Sequence, residues 1–305
     1  MCSSIGIGKK GWSFHHDAPA FVHLMRLNAF SSSLLPLWPA LLFLGVFFLA
    51  PLLMVVGMSL ASRGTYGGVE WALTLSNYLR LADPLYLGIY LRSLVMAGIT
   101  TLVCAILGFP LAYTIARAPQ RWQTILIIMI LIPFWTNFLV RTYAWIFILR
   151  ADGLLNTLLQ GIGLIAEPLP LLYTDGAVFV GLVYGYLPFM VLPLIIAIER
   201  IPSALEEAAR DLYASTWVIF RRVIIPLAKP GIIAGCVLVF IPAVGAFITP
   251  YLLGGGRRLM LGTLIQQEML VARDWPFGAA LSVLLMVLVL LTLILTRRYA
   301  RWDGL

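Results

Sequence analysis

Charged residues are scarce in this chain of 305 residues: 11% are Asp, Glu, Lys or Arg, against 61% that are hydrophobic, and the mean hydropathy is +0.97. Soluble globular domains carry about 25% charged residues, so the scarcity excludes that class and places the chain in a lipid bilayer. Cysteine is equally sparse. Cys104 and Cys236 fall inside apolar runs and Cys2 lies near the N-terminus, which excludes a disulfide framework. Clustered metal ligands are missing too: His15 and His16 are neighbours without a further ligand set nearby, so no metal site is expected. The phosphate-cradling pattern of Gly, four residues, Gly-Lys-Ser/Thr does not occur. Gly6, Gly8 and Gly11 around Lys9 and Lys10 lack both its spacing and a preceding strand. ATP hydrolysis by this chain alone is not expected on that ground, and neither catalytic residues nor a cofactor of its own is expected.

The long apolar runs show no strand-like alternation. A backbone in lipid has to satisfy its own hydrogen bonds, so these runs are read as helices and the fold class as an all-α integral membrane domain. Six spans are predicted, at about residues 34–60, 90–116, 124–149, 177–198, 231–253 and 278–296. The implied organisation is a tail over 1–33, partly amphipathic at 21–30, then the first span, an outer loop over 61–89, a five-helix core over 90–296 and a tail over 297–305. The first apolar run starts late and is long, which predicts a retained span rather than a cleaved signal segment. Pro36, Pro39 and Pro51 predict a bend in it, and Pro188, Pro193, Pro242 and Pro250 mark shaping or hinge points in spans four and five. Arg117, Arg121, Arg200, Arg210, Arg221, Arg222, Lys229 and Arg297 fall on one side of this topology, which sets both termini on the cytoplasmic face. Anionic lipid headgroups account for the net charge of +8, and no nucleic-acid partner is expected.

Against this background residues 206–231, EEAARDLYASTWVIFRRVIIPLAKPG, are conspicuously polar. Ser203 followed by Glu206 has the spacing of a capping box and predicts a helix start. Leu205, Ala208, Ala209 and Leu212 then recur on one face, with Glu206, Glu207, Arg210 and Asp211 over the rest. Ser215 is placed to cap a second short helix through Trp217, Phe220 and Arg221, and Pro226 and Pro230 mark the return into the membrane. A helix lying on a membrane surface would show the same amphipathicity. The small Ala208 and Ala209 favour a second reading, because they let another protein approach the helix backbone closely.

Glu207, Ala208, Ala209, then Tyr213, Val223, Ile225 and Pro226 resemble the signature loop of the membrane subunits of bacterial ABC importers. Tyr213 stands where that family usually has Gly, and since Tyr takes a left-handed conformation only with strain, a differently shaped turn is expected. The segments DPLYLGIYLRSL, IPFWTNFLVRTYAW, YGYLPFMVLPL, FIPAVGAFITPYLLGG and RDWPFGAALS are similar to the permease subunits of polyamine importers, and more to the putrescine than to the spermidine type. The resemblance implies a type I ABC importer permease fold of six transmembrane helices in the bacterial inner membrane. It makes the loop over 201–230 a cytoplasmic coupling helix, whose Glu206, Glu207, Ala208, Ala209, Leu212 and Tyr213 meet a separate ATPase. It further implies two nucleotide-binding subunits carrying ATP and Mg, a second permease subunit forming a heterodimer with this one, and a periplasmic polyamine-binding protein. Importers of amino acids, ferric iron or thiamine share diluted versions of these segments and remain the alternative. An ion-coupled secondary transporter fits less well, for want of mid-membrane ionisable groups and repeated spans.

A polyamine crossing lipid must exchange its water for carboxylates, carbonyls or aromatic faces. Trp135, Tyr143, Tyr184, Tyr186, Phe240 and Phe247, with the polar Asn137, are the candidate pathway residues, although aromatic side chains in membrane helices more often pack or anchor. Carboxylates are missing from the spans, and at Ala246 this chain lacks the Glu that the resemblance implies for some members of the family. A second permease subunit is therefore expected to bring the acids. Arg141, inside the predicted third span, must reach the outer interface or pair with a partner's acid.

Overall fold

The protein is described from a computed structural model over residues 38–297. The predicted tails, with His15, His16 and the stretch 21–30, lie outside those residues. The chain divides into two compact units after Met54. Residues 38–54 of helix α1, Trp38–Ser59, are what is described of the first unit, and the helix ends in the second. A π-helical turn interrupts it at Gly45–Leu49, where the Ala50 N–H bonds to the Gly45 carbonyl. Pro51 accounts for the irregularity: it has no N–H to offer the preceding turn, and its ring crowds the carbonyl four residues back.

After α1 comes a short antiparallel hairpin, β1 Ser62–Arg63 and β2 Val69–Glu70, with Ser62 opposite Glu70. The small helix α2, Ser76–Leu81, follows. The 33-residue α3, Pro84–Ala116, begins where Asp83 accepts a hydrogen bond from the Leu85 N–H and Pro84 takes the first helical position. It starts six residues earlier than the apolar run suggested, because the cap, not the hydropathy, sets its first turn. Helix α7, Asp175–Glu199, is capped in the same way by Thr174 Oγ1 on the Ala177 N–H, and it runs unbroken through Pro188 and Pro193.

The third and fifth spans depart from expectation. What was read as one helix over 124–149 is α4, Gln120–Trp135, and α5, Phe138–Leu149, followed by α6, Leu154–Gly161, with a bend of 88° between α4 and the α5–α6 segment. Pro133 removes a donor from the last turn of α4, and Asn137 Oδ1 accepts from the Leu139 N–H, starting α5 afresh. In the fifth span α10, Lys229–Val244, stops at Gly245, and α11, Ile248–Leu253, resumes after Phe247. Between α7 and α10 lie α8, Ser203–Asp211, and α9, Thr216–Leu227, the latter meeting α10 at 69°. The chain returns through α12, Leu261–Gln266, to α13, Trp275–Arg297. Four helices are long and apolar enough to cross a bilayer, and there are six spans if each bent pair counts as one.

Helices α3, α7 and α10 form the centre. Met190, Leu194 and Ile198 of α7 are buried against Phe109 and Ile115 of α3 and Val239 of α10. Lipid is as apolar as these side chains, so close backbone approach rather than hydrophobic exclusion drives the packing. Gly235 permits it: a Cβ there would stand 2.6 Å from the Met190 sulfur and 3.2 Å from its carbonyl oxygen. At the end of the bundle away from α8, Arg80 binds the buried Asp274 at 2.7 Å, lies 3.9 Å from Glu268 and stacks 3.9 Å over the Phe277 ring, tying α2 to α13. Burial works to lower the Arg80 pKa, but its hydrogen bonds to Asp274 and Tyr86 hold it above the ordinary value. Burial likewise pushes the Glu268 carboxyl up, with Arg80 drawing it partly back.

Gly235→Val should therefore destabilise the fold by about 2 kcal/mol, read as a lowered Tm in detergent. Gly98→Val, where nothing stands within 4 Å of the added carbon, should leave the Tm unchanged or higher.

Candidate functional site

Two places in the second unit gather the candidate residues. The first is the polar segment between α7 and α10. Its helix α8 starts differently from the predicted capping box: the extended Pro202 precedes it, Ser203 is already helical, and Ser203 makes no capping bond. Glu206 is released from that role and does not lie on the polar face. Its side chain is 8% exposed, sits 2.5 Å from the Arg117 guanidinium and accepts a hydrogen bond of 2.8 Å from the Tyr113 hydroxyl. Arg117 also donates to the Ile201 carbonyl at 3.1 Å. The end of α3 and the start of α8 are joined by a buried ion pair. Removing one partner of such a pair costs about 3–5 kcal/mol, because it strands the other charge. Sequence reasoning missed Arg117, which reads as one more basic residue in a short loop. Its position one residue past the end of α3 was the only signal.

The remaining coupling candidates face outward. Glu207 and Ala208 are exposed, Leu212 is 81% and Tyr213 98% exposed, and Ala209 alone packs partly into the core. The apolar stripe is thus left bare, with Trp217 stacked on Phe220 beside it and itself mostly exposed. Tyr213 takes the left-handed conformation, φ 58°, that glycine would take. Its N–H bonds to the Arg210 carbonyl at 2.9 Å, and the Ala214 N–H reaches back to Ala209 at 3.1 Å. These two bonds close the helix as a glycine-ended turn does. The expected change of shape is absent, and strain takes its place. Ser215 stands in extended conformation before α9 but makes no side-chain cap.

The second place is a cavity of about 540 Å³ beside both broken spans. Tyr186 and Phe247 line it, together with Phe134, Phe189, Arg141 and Ala246. Tyr186 donates to the Pro242 carbonyl at 3.1 Å, across the helix α10 that ends in this cavity. The other expected pathway residues are dispersed. Tyr143 lines a separate cavity of about 890 Å³ with Arg150, Tyr173, Arg257 and Arg258. Tyr184 packs edge-on against Trp145 at 5.4 Å, and Trp135 is 79% exposed. Asn137 caps α5, and Phe240 packs into a core cluster around Ala97, Val244 and Phe277. Sequence reasoning missed Phe134 and Phe189. The Pro133 and Asn137 pair marking the break was the signal that could have found the first.

Arg141 neither reaches a carboxylate among the described residues nor stands clear of the break. It turns back onto the end of α4, donating to the carbonyls of Phe134 at 2.8 Å and Thr136 at 3.0 Å.

Comparison with known proteins follows from this geometry. Residues 18–302 match the family described as "Binding-protein-dependent transport system inner membrane component". The chain is 45% identical to the spermidine/putrescine transport system permease protein PotB of Escherichia coli (strain K12), over 84% of this chain and 93% of that protein. It is 44% identical to the protein of the same name from Haemophilus influenzae (strain ATCC 51907 / DSM 11121 / KW20 / Rd), over 80% and 86%. Its fold is shared with a chain of a bacterial alginate ABC transporter, solved in complex with an alginate pentasaccharide-bound periplasmic protein, at a TM-score of 0.72 and 16% identity, covering 92% of this chain and 98% of that one.

Tyr213→Gly should relieve the left-handed strain and stabilise the protein by about 1 kcal/mol, measured as a raised Tm with the helical content unchanged.

Proposed function

The chain belongs to the family of binding-protein-dependent transport system inner membrane components, and from that membership we propose that it is a permease subunit of an ATP-driven polyamine importer. It is a transport component and not an enzyme. The observation that carries the cargo assignment is the identity of 45% with a spermidine/putrescine permease over 93% of that protein's length. Putrescine is the cargo the sequence segments favour.

Both termini are placed on the cytoplasmic side, with α8 there too. A pair of nucleotide-binding subunits, holding ATP and Mg, is proposed to seat α8 against the bare stripe of Leu205, Ala208 and Leu212, with Tyr213 and Glu207 at its margins. The buried pair of Glu206 and Arg117 supports this reading, because it fastens the same helix to α3. A displacement of α8 then cannot be absorbed locally, and it moves the α3 end of the bundle. Closure of the ATPase pair draws α8 along, the broken third and fifth spans rearrange, and the pathway opens to a periplasmic binding protein. Hydrolysis resets it. A second permease subunit supplies the other wall and the carboxylates missing here.

The test is co-purification of this subunit with its partner subunits in proteoliposomes, with uptake of labelled putrescine and spermidine followed alongside ATP hydrolysis. Polyamine uptake that requires ATP and the binding protein is expected, and uptake of another solute class instead would refute the cargo. Glu207→Lys, at the exposed margin of α8, should lower uptake at least ten-fold while ATP hydrolysis persists; normal uptake in that variant would refute the docking role.

A further inference from the structure

Arg141 lies four residues into the restarted third span, its own N–H bonded to the Asn137 carbonyl at 3.1 Å. Its side chain points backwards. The terminal nitrogen donates to the Phe134 and Thr136 carbonyls, and Nε reaches Thr136 Oγ1 at 3.4 Å. These carbonyls close α4, whose last turn has no helical donors left because the chain breaks there. A helix end of this kind carries partial negative charge. The guanidinium carbon also stands 5.8 Å from the Phe134 ring and 5.9 Å from the Tyr184 ring. Carbonyls, a hydroxyl and aromatic faces together make an acceptor site for one cation, opening on the cavity of about 540 Å³ whose lining includes no carboxylate among the described residues.

This arrangement conflicts, as it stands, with passage of a cationic cargo. A guanidinium facing the cavity repels a second cation, and the cavity offers no acid to offset it. The conflict disappears if the two cations exchange. We propose that Arg141 is a resident cation: in the idle permease it fills the acceptor site that an ammonium group of the cargo takes during passage, and the cargo enters by displacing it. The proposal rests on the polyamine reading and deepens it.

The chemistry suits both occupants. An ammonium is a compact ion with three donors, matching two carbonyls and a hydroxyl, whereas the guanidinium meets the same atoms through its fork of N–H groups. Exchange of one cation for another keeps the charge held by these acceptors constant, while the acids that balance the displaced guanidinium come from the second permease subunit. The tether matters as well. While Arg141 is in place, free monovalent cations meet a positive charge at the site and are turned away, as fixed positive groups do in other membrane pores. A diamine has a second ammonium and an alkyl chain that the aromatic walls of Tyr186, Phe189 and Phe247 can hold while the first displaces Arg141.

The experiment is equilibrium binding of labelled putrescine and spermidine to the assembled complex in lipid nanodiscs, without binding protein or nucleotide. Arg141→Gln, which vacates the site, should bind at least ten-fold more tightly than the wild type, and Arg141→Lys, which keeps a cation there, should bind no more tightly than the wild type. Arg141→His should bind like the Gln variant at pH 8, with a neutral ring, and like the wild type at pH 5.5, with an imidazolium back in the site. The His comparison is made within one preparation, so it decides the matter even if the Gln variant assembles poorly. Equal binding by wild type and Gln variant, or binding by the His variant that does not change with pH beyond that of the wild type, overturns the resident cation. Wild-type uptake is measured in parallel: polyamine uptake with no gain of binding in the variants overturns this proposal alone, whereas no polyamine uptake by the wild type overturns the cargo reading and this proposal with it.

Discussion

Arg117 and Glu206 meet 2.5 Å apart at the junction of α3 and the helix that follows α7, with Glu206 almost wholly removed from solvent. Beyond the guanidinium, Glu206 Oε1 has no hydrogen-bond partner among the described residues, while its other oxygen holds the Tyr113 hydroxyl. Glu206 has given up hydration that Arg117 and Tyr113 restore, and Arg117, itself partly buried, binds the Ile201 carbonyl as well, so the pair resists separation more than an exposed salt bridge does. That resistance makes α8 a stiff extension of the 33-residue α3, and it allows α8 to keep Leu205 and Leu212 exposed without the helix coming loose.

The same problem, a charge in an apolar setting, is met at the other sites by different means. Arg80 binds Asp274 at the far end of the bundle, with the Phe277 ring below it. Asp175 at the start of α7 takes Arg92 and, at 3.6 Å, Arg258. Arg141 is met by the Phe134 and Thr136 carbonyls, with the Thr136 hydroxyl and the Phe134 and Tyr184 rings beside it, and these carbonyls are free acceptors because the third span is broken. Break and charge suit each other: the end of α4 leaves carbonyls without helical donors, and the guanidinium takes them as acceptors.

Much of the architecture is legible in the sequence, since lipid leaves helices as the only way to satisfy a long apolar run, and α1, α7 and α13 fall within a few residues of where hydropathy places them. The two breaks are not legible by that means. Apolar residues continue straight across Thr136 and Asn137 and across Gly245 to Phe247; the missing donor of Pro133 and the Asn137 cap mark the first break, and Pro242 and Gly245 mark the second. Helix α8 was visible from its period, but Glu206 was misplaced because a capping box and a buried ion pair put the same residue type at the same spacing. Tyr213 shows the converse: the sequence signals strain, and the turn keeps a glycine-like shape by bearing it. Of the aromatic candidates, Tyr186 and Phe247 reach the cavity while Phe240 packs into the core, a difference of helix face that composition does not carry.

The rigidity of the α3–α8 joint is tested most directly by the ratio of polyamine imported to ATP hydrolysed, measured in proteoliposomes for the wild type, Arg117→Gln, Glu206→Gln and the charge-reversed pair Arg117→Glu with Glu206→Arg. The account predicts that each single substitution lowers the ratio at least ten-fold with hydrolysis retained, and that the reversed pair recovers part of it. A Glu206→Gln complex that folds and imports at the wild-type ratio would contradict it.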